Sequence, residues 1–242
     1  ASGSRSLIVD FDDLLGFSRE LGSRLVKNPR ELLPDLEKHC RPELAAIDPV
    51  YASKLRRFNI RIRGLPEKTS LRTIRTEHLN TLVSIEGIVV RSTPIKSLLL
   101  VGRFSCKRCG GKQDLPQSGE LLRFPALCSD PSCGAKGSSA FELLEAESDF
   151  VDIQELRLQE RPEDLPPGQL PRTADVYVYD DMVDVARPGD RTTLSGIVVG
   201  EPESHPTGGR YRTFVLRLHC NHLEVAGLEE EVVAITPEDE RE

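Results

Sequence analysis

The apolar positions of residues 10–57 recur at helical spacing. Phe11, Leu14, Leu15, Leu21 and Leu25 fall on one face, the i, i+3, i+4 pattern of a half-buried helix. Asp10 stands at a predicted N-cap, and Asp12 and Asp13 fill a first turn that favours negative charge. Pro29 opens a second predicted helix carrying Leu32, Leu33 and Leu36, with Pro34 near its first turn. Pro42 and Pro49 divide the rest into shorter helical pieces, the last running through Tyr51 and Leu55. This stripe of Leu and Phe reads as the core of a small helical bundle. At Phe58 the period changes to two. Phe58, Ile60 and Ile62 alternate with Asn59, Arg61 and Arg63, which begins a strand.

Short strands follow. Residues 70–82 read as a turn and a short helix around Leu71, Ile74, Leu79 and Leu82. Residues 84–93 and 95–106 form two predicted strands broken at Pro94. Further strands are predicted at 121–124, 141–147, 150–159, 174–181, 192–199 and 211–225. In the strand at 150–159, Val151, Ile153, Leu156 and Leu158 alternate imperfectly. Between strands, residues 160–173 hold Pro162, Pro166, Pro167 and Pro171 and read as a long ordered arm. Such a series predicts an α+β, multi-domain chain: an N-terminal helical bundle, then a small closed β-barrel of OB-fold type.

A cysteine segment interrupts the barrel pattern after its second strand. Cys106 and Cys109 form a C-x2-C pair, and Cys128 and Cys133 a C-x4-C pair. Gly110 and Gly111 let the backbone curl so that amides face the thiolates. Two such pairs satisfy tetrahedral Zn²⁺ with Zn–S near ~2.3 Å, and four thiolates leave no position open for water. The expected zinc is therefore structural, one per chain. A disulfide pair and a redox C-x-x-C are the other readings, and no thioredoxin-like βαβ pattern surrounds the motif. Cys40 and Cys220 are left over as small buried hydrophobes. His219, Cys220 and His222 invite a second metal, but a strand points 219 and 222 to opposite faces.

The net charge of −7 argues against nucleic acid until its distribution is read. Residues 51–112 carry fourteen Lys/Arg and three acids, whereas residues 113–242 carry eleven Lys/Arg and twenty-seven acids. The basic stretch is either an electrostatic footprint for nucleic acid or a solvated face balanced by an acidic one. With no Trp and few Phe or Tyr, base stacking has little to work with, so backbone electrostatics would dominate. Arg91 and Lys96 flank Pro94, Arg172 follows the Pro-rich arm, and Arg187 and Arg191 bracket a P-G-D turn. Apolar runs are too short to span a bilayer. The polar opening ASGSRS reads as added residues ahead of the native chain and not as a signal peptide, so an intracellular location is expected.

The order of segments resembles one family. A helical start precedes L-V-S-I-E-G-I-V-V-R, F-S-C-x-x-C-G and a second Cys pair; then come V-D-I-Q-E-L-R-L-Q-E, L-P-P-G-Q-L-P-R and D-D-M-V-D-V-A-R-P-G-D-R. Together they resemble the N-terminal region of a minichromosome maintenance (MCM) replicative DNA helicase of archaeal type. The resemblance implies a helical subdomain over 1–80, an OB-fold over 81–104 and 138–228, a zinc ribbon over 105–137 and an acidic end at 229–242. It implies a hexameric ring that encircles single- or double-stranded DNA, with zinc ribbons joining two rings. DNA contacts are implied at Arg91, Lys96, Arg172, Arg187 and Arg191. They are also implied on a hairpin over 200–212 that bears Arg210 and Arg212, although Glu201 and Glu203 oppose it. Location would be cytoplasmic and nucleoid-associated, or nuclear in a eukaryote. The family's ATPase follows this region, and no G-x-x-x-x-G-K-[ST] occurs here. The chain is thus expected not to be an enzyme, its parent being an ATP-dependent helicase. Two alternatives are a zinc-ribbon/OB factor of translation or transcription binding RNA or protein, and a redox enzyme using Cys106 and Cys109.

Overall fold

A computed structural model describes residues 5–55, 57–119, 121–204 and 210–227. Four helices lie in the region of helical periodicity: α1 (Phe11–Phe17), α2 (Arg19–Lys27), α3 (Pro29–Ile47) and α4 (Pro49–Lys54). Ser18 caps α2 by accepting from the Leu21 N–H at 3.2 Å, and Asp48 caps α4 by accepting from the Tyr51 N–H at 2.9 Å. Two expectations are corrected. Asp10 occupies the N-cap position of α1 but makes no capping bond. Its carboxylate instead accepts from Arg63 Nε at 2.6 Å and Nη2 at 2.9 Å, which holds it below the usual carboxylate range. A bidentate charged pair outcompetes one amide. Pro42 does not end a helix either. Pro34 and Pro42 both lie inside α3. Each removes one backbone bond, and packing of Leu32, Leu33, Leu36 and Cys40 against the core keeps the helix continuous.

Among the described residues there are ten strands: β1 (Ser6–Asp10), β2 (Asn59–Arg63), β3 (Leu82–Ser92), β4 (Lys96–Cys106), β5 (Lys112–Pro116), β6 (Phe141–Leu143), β7 (Asp149–Gln159), β8 (Thr173–Tyr179), β9 (Arg191–Ser204) and β10 (Arg210–Val225). They divide between two compact units. One comprises residues 1–92, 155–177 and 184–242, and the other residues 93–154 and 178–183.

In the first unit the strand order is β3-β9-β10-β8-β7, and β3 pairs with β7 as well, so the order returns to its first strand. Ile88 is where β3 changes neighbour. It is in register with Arg191 of β9 and with Gln159 of β7. The adjacent Gly87 is required there, because a Cβ would sit 2.7 Å from the Gln159 carbonyl oxygen and 2.6 Å from Leu158 Cγ. Ile85, Val89, Leu156, Leu158, Val176, Leu194, Val198 and Leu218 are at most 2% exposed. A second apolar layer joins Phe11, Leu25 and Leu33 of the helices to Ile60, Ile62, Leu65 and Leu82, with Ile197 packed against it. The first half of β3 is therefore buried on both faces.

β2 pairs with β1 in parallel, and its other side is met by one residue of β10. The register of β10 against β9 shifts between Cys220 and His222, leaving Asn221 outside the ladder. Bulges of this kind re-aim a side chain. Asn221 Oδ1 accepts from the Ile62 N–H at 2.7 Å, and its Nδ2 donates to the Ile60 carbonyl at 2.8 Å. Its own carbonyl accepts from Arg61 Nη1 at 3.0 Å, while Ser195 Oγ donates to the Ile62 carbonyl at 2.5 Å. Asn221 and Arg61 are both buried.

In the second unit β4 pairs with β5, β6 and the first half of β7. The strand expected at 121–124 is absent, and β5 forms at 112–116 instead. Arg123 has its backbone served by a side chain: its N–H donates to Gln117 Oε1 at 2.9 Å and its carbonyl accepts from Gln117 Nε2 at 3.0 Å. Of the strand expected at 141–147 only β6 forms, and residues 145–147 are a helical turn. The imperfect alternation of β7 also has a cause. Val151 is buried, then Gln154, Leu156 and Leu158, a slip of one position where the partner changes from β4 to β3. The expected acidic end at 229–242 and the tip of the expected hairpin, 205–209, lie outside the described residues. No helix among the described residues is long and apolar enough to cross a membrane.

Replacing Asn221 by Ala strands a buried N–H and a buried C=O on β2. The expected loss is about 2–4 kcal/mol, read as a lower urea midpoint for the first unit. An unchanged midpoint would mean that apolar contacts alone hold β2.

Candidate metal centre and nucleic-acid interface

β4 ends at Cys106, and the chain then turns tightly. The Gly110 N–H donates to the Cys106 carbonyl and the Cys106 N–H to the Gly111 carbonyl, both at 2.8 Å. Gly110 has φ +74°, a region that favours glycine. The Gly111 N–H faces Cys109 Sγ at 3.4 Å. The longer C-x4-C spacing is taken up by Asp130. Its Oδ1 accepts from the Ser132 N–H at 2.9 Å and Oγ at 2.6 Å, and its carbonyl accepts from the Cys133 N–H at 3.1 Å.

These two turns bring all four sulfurs within 4.8 Å of one another. Cys106 Sγ lies 3.7 Å from Cys133 Sγ, and Cys109 Sγ 3.6 Å from Cys128 Sγ. Both separations far exceed the ~2.05 Å of a disulfide. They approach the edge of about 3.8 Å of a tetrahedron with metal–sulfur bonds near ~2.3 Å. The electrostatics agree. Amides of Cys109 and Arg108 bring the Cys106 thiol down to about 7. The Asp130 amide favours the Cys128 thiolate, yet burial and the other three sulfurs push this thiol up to about 12. Four thiolates this close cannot all ionise together unless a cation sits among them. The donor set fits a tetrahedral divalent ion with no open position. Behind it lies a small core of Phe104, Cys106, Cys133, Ala135 and Phe141.

His219, Cys220 and His222 do not converge. His219 Nε2 lies 3.6 Å from Glu201 Oε1 and its ring meets Tyr177 edge-on, whereas His222 Nε2 is 3.1 Å from Glu224 Oε1. Burial, with Arg30 and Arg217 nearby, lowers the His219 pKa to about 4, so this ring stays neutral at physiological pH. Cys220 is buried, as expected for a small hydrophobe.

The predicted basic residues are distributed unevenly. Arg91 is exposed on β3, in register with Arg157 of β7. Arg157 and Arg172 line a cavity of about 240 Å³ whose wall also includes Arg75 and Arg217. Arg157 Nε donates to Asp175 Oδ1 at 2.7 Å. Arg217 stacks over Tyr177 at 5.3 Å and pairs with Glu201 at 3.2 Å. Arg172 is exposed, with its backbone N–H fixed by Glu160 Oε2 at 2.8 Å. Arg191 is paired with Glu163 at 2.6 Å, and Arg187 is exposed in the turn closed by Asp190. Arg210 and Arg212 are exposed at the start of β10. Lys96 is exposed at the start of β4 in the second unit.

Arg157 is thus in register with Arg91 and shares a cavity with Arg172, and it is absent from the residues that sequence reasoning singled out. Its signal is present in E-L-R-L-Q, where an outward arginine alternates with buried Leu156 and Leu158. The apolar half of that alternation marks the strand, and the polar half marks its outward face. Arg217 carries the same signal in L-R-L-H on β10, whereas Arg75 has none and needs the fold to bring it to the cavity.

The chain matches two family models, the MCM N-terminal domain over residues 1–64 and the MCM OB domain over residues 70–202. It is 33% identical over 242 residues to the minichromosome maintenance protein MCM of Saccharolobus solfataricus, covering 98% of this chain and 35% of that protein. It is 34% identical over 227 residues to the DNA replication licensing factor mcm3 of Schizosaccharomyces pombe, covering 88% and 25%. Identity to the DNA replication licensing factor MCM6 of Arabidopsis thaliana is 30% over 203 residues, covering 83% and 24%. The chain spans about a third or less of the length of these relatives.

Proposed function

This chain belongs to the minichromosome maintenance (MCM) family, and we propose that it is the DNA-binding and ring-assembly module of an ATP-dependent replicative helicase. The observation that carries the proposal is that Arg91 and Arg157 stand in register on adjoining strands of the OB region while Arg172, just ahead of β8, lines the same cavity as Arg157. Cations spaced along strands suit a phosphate backbone, which supplies affinity without reading sequence. Lys96, Arg187, Arg191, Arg210 and Arg212 extend the basic set, and Arg191 would exchange Glu163 for a phosphate. The strand order that returns to β3 supports a closed barrel, with the helices of residues 1–80 as its neighbouring subdomain. The ring is a hexamer, possible only if two different patches of each copy meet around one axis. The chemistry of ATP hydrolysis belongs to the remainder of the parent protein. Its location is the cytoplasm, on the nucleoid, or the nucleus of a eukaryote. The four-cysteine cluster, in residues 105–137, holds one structural zinc, and ribbons of this kind would join two rings. A redox role for Cys106 and Cys109 is disfavoured by the nearness of all four sulfurs. A translation or transcription factor is disfavoured by the N-terminal family match over residues 1–64.

Zinc content tests the ribbon. Purified protein is expected to hold one zinc per chain, and Cys128→Ser to lose it and unfold the ribbon, since binding and folding free energy are coupled there. The first unit should keep its melting transition. A folded ribbon free of metal after chelation would contradict this reading. DNA binding tests the interface. Arg210→Ala with Arg212→Ala is expected to weaken single-stranded DNA binding evenly across sequences and to lower the salt slope by roughly 0.7 for each phosphate left without its cation. Zinc content and assembly should not change. Unchanged affinity and slope would remove the hairpin from the interface.

A further inference from the structure

We infer that Arg72 is a positioning residue: it clasps residues 160–172 into a fixed arm and thereby holds Arg172 at the DNA surface. The inference rests on the DNA-binding reading above for its second half only. The arm forms no ladder beyond its ends. Its first and last residues are joined, with the Glu160 N–H donating to the Arg172 carbonyl at 3.0 Å and the Arg172 N–H to Glu160 Oε2 at 2.8 Å. The Glu160 side chain is only 6% exposed, and Arg72 Nε lies 2.9 Å from its Oε2. The same guanidinium reaches further along the arm. Nη2 donates to the Leu170 carbonyl at 2.7 Å, and Nη1 donates to Gln169 Oε1. One planar fork therefore joins the buried carboxylate at the base of the arm to two groups near its end.

Other ties exist, but none has this reach. Arg161 bonds Glu86 of β3 and the nearby Asp164, which ties down only the first turn of the arm. Glu163 and Arg191 are each 55% exposed, a pair that water screens. Removing Arg72 would leave the Glu160 charge buried without its partner, the costly way to break such a pair. The cavity shared by Arg157 and Arg172 is walled by Leu71, Ile74 and Arg75 on this side, while Arg72 turns its guanidinium to the arm. An effect of Arg72 on DNA would then pass through the arm and not through direct contact.

Two measurements on the whole chain test this. The first is amide hydrogen exchange over residues 160–172 without DNA. Arg72→Ala should speed exchange in the arm by about tenfold or more while the strands stay protected. Arg72→Lys keeps a charge against Glu160 but lacks the fork, so it should protect residues 160 and 161 and release 168–170. The second is affinity for a single-stranded oligothymidylate at fixed salt. Arg72→Ala should weaken it, and the double variant Arg72→Ala/Arg172→Ala should be no weaker than Arg172→Ala alone. Unchanged exchange would overturn the clasp. Losses that multiply in the double variant would overturn it also, since they would make Arg72 a direct contact. If Arg172→Ala binds as tightly as the unaltered chain, the DNA role of Arg172 falls, and exchange alone then decides whether Arg72 holds the arm. Should Arg72→Ala fail to fold, Arg72→Lys carries both measurements.

Discussion

An edge strand carries unpaired backbone groups that must be satisfied or left open to other chains. β2 meets this demand through the side chain of Asn221, which offers it an acceptor and a donor where a neighbouring strand would have stood. The arrangement requires an extra residue in β10, and the register shift between Cys220 and His222 supplies it. Ile60 and Ile62 can then face the helices while their peptide groups remain bonded. Ser195 Oγ on the Ile62 carbonyl and Glu37 Oε1 on the Ile60 N–H serve the other two groups, and the core around Phe11, Leu25 and Leu33 is closed over a fully bonded strand. Arg61, drawn in beside Asn221, bonds its carbonyl and so fixes the bulge from the other side.

The second unit depends on a different constraint. Its core is small, and two of the five buried residues in it are cysteines. Four sulfurs within 4.8 Å repel as thiolates. A tetrahedral dication held there would turn that repulsion into a cohesive interaction, as in small domains that fold only with metal. The two units thus differ in what holds them: hydrogen-bonded packing around β2 in one, and a four-cysteine cluster that could hold a metal ion in the other.

Periodicity makes the helices and most strands legible in the sequence, and Cys spacing does the same for the four-sulfur cluster. Those features follow from local spacing, which the sequence displays directly. Expectations failed where a side chain outside the local period took over the backbone or the carboxylate. Asp10 looked like a cap and became the partner of Arg63, fifty-three positions away. Residues 121–124 had strand character, but Gln117 served the backbone of Arg123 and no ladder formed. Asn221 gave no signal, because a bulge is a relation between two strands. The basic face was half legible. Arg91 and Arg172 could be named from the family resemblance, whereas Arg157 emerged from its register with Arg91 and Arg72 from its hold on the arm.

The acidic chain does not conflict with a polyanionic partner. Potential at a surface follows the charges within about a Debye length, ~8–10 Å at moderate salt, and Arg91 and Arg157 stand in register on adjoining strands. Asp175 pairs with Arg157 locally, whereas acids far along the chain reduce the net charge more than the local field. The most direct test is the equilibrium constant for single-stranded DNA, measured over a range of salt with several base sequences. Backbone contact by several arginines predicts a linear fall of log K against log salt, roughly 0.7 per phosphate neutralised, with the same line for every sequence. A salt-independent affinity, or one confined to a particular sequence, would contradict the account.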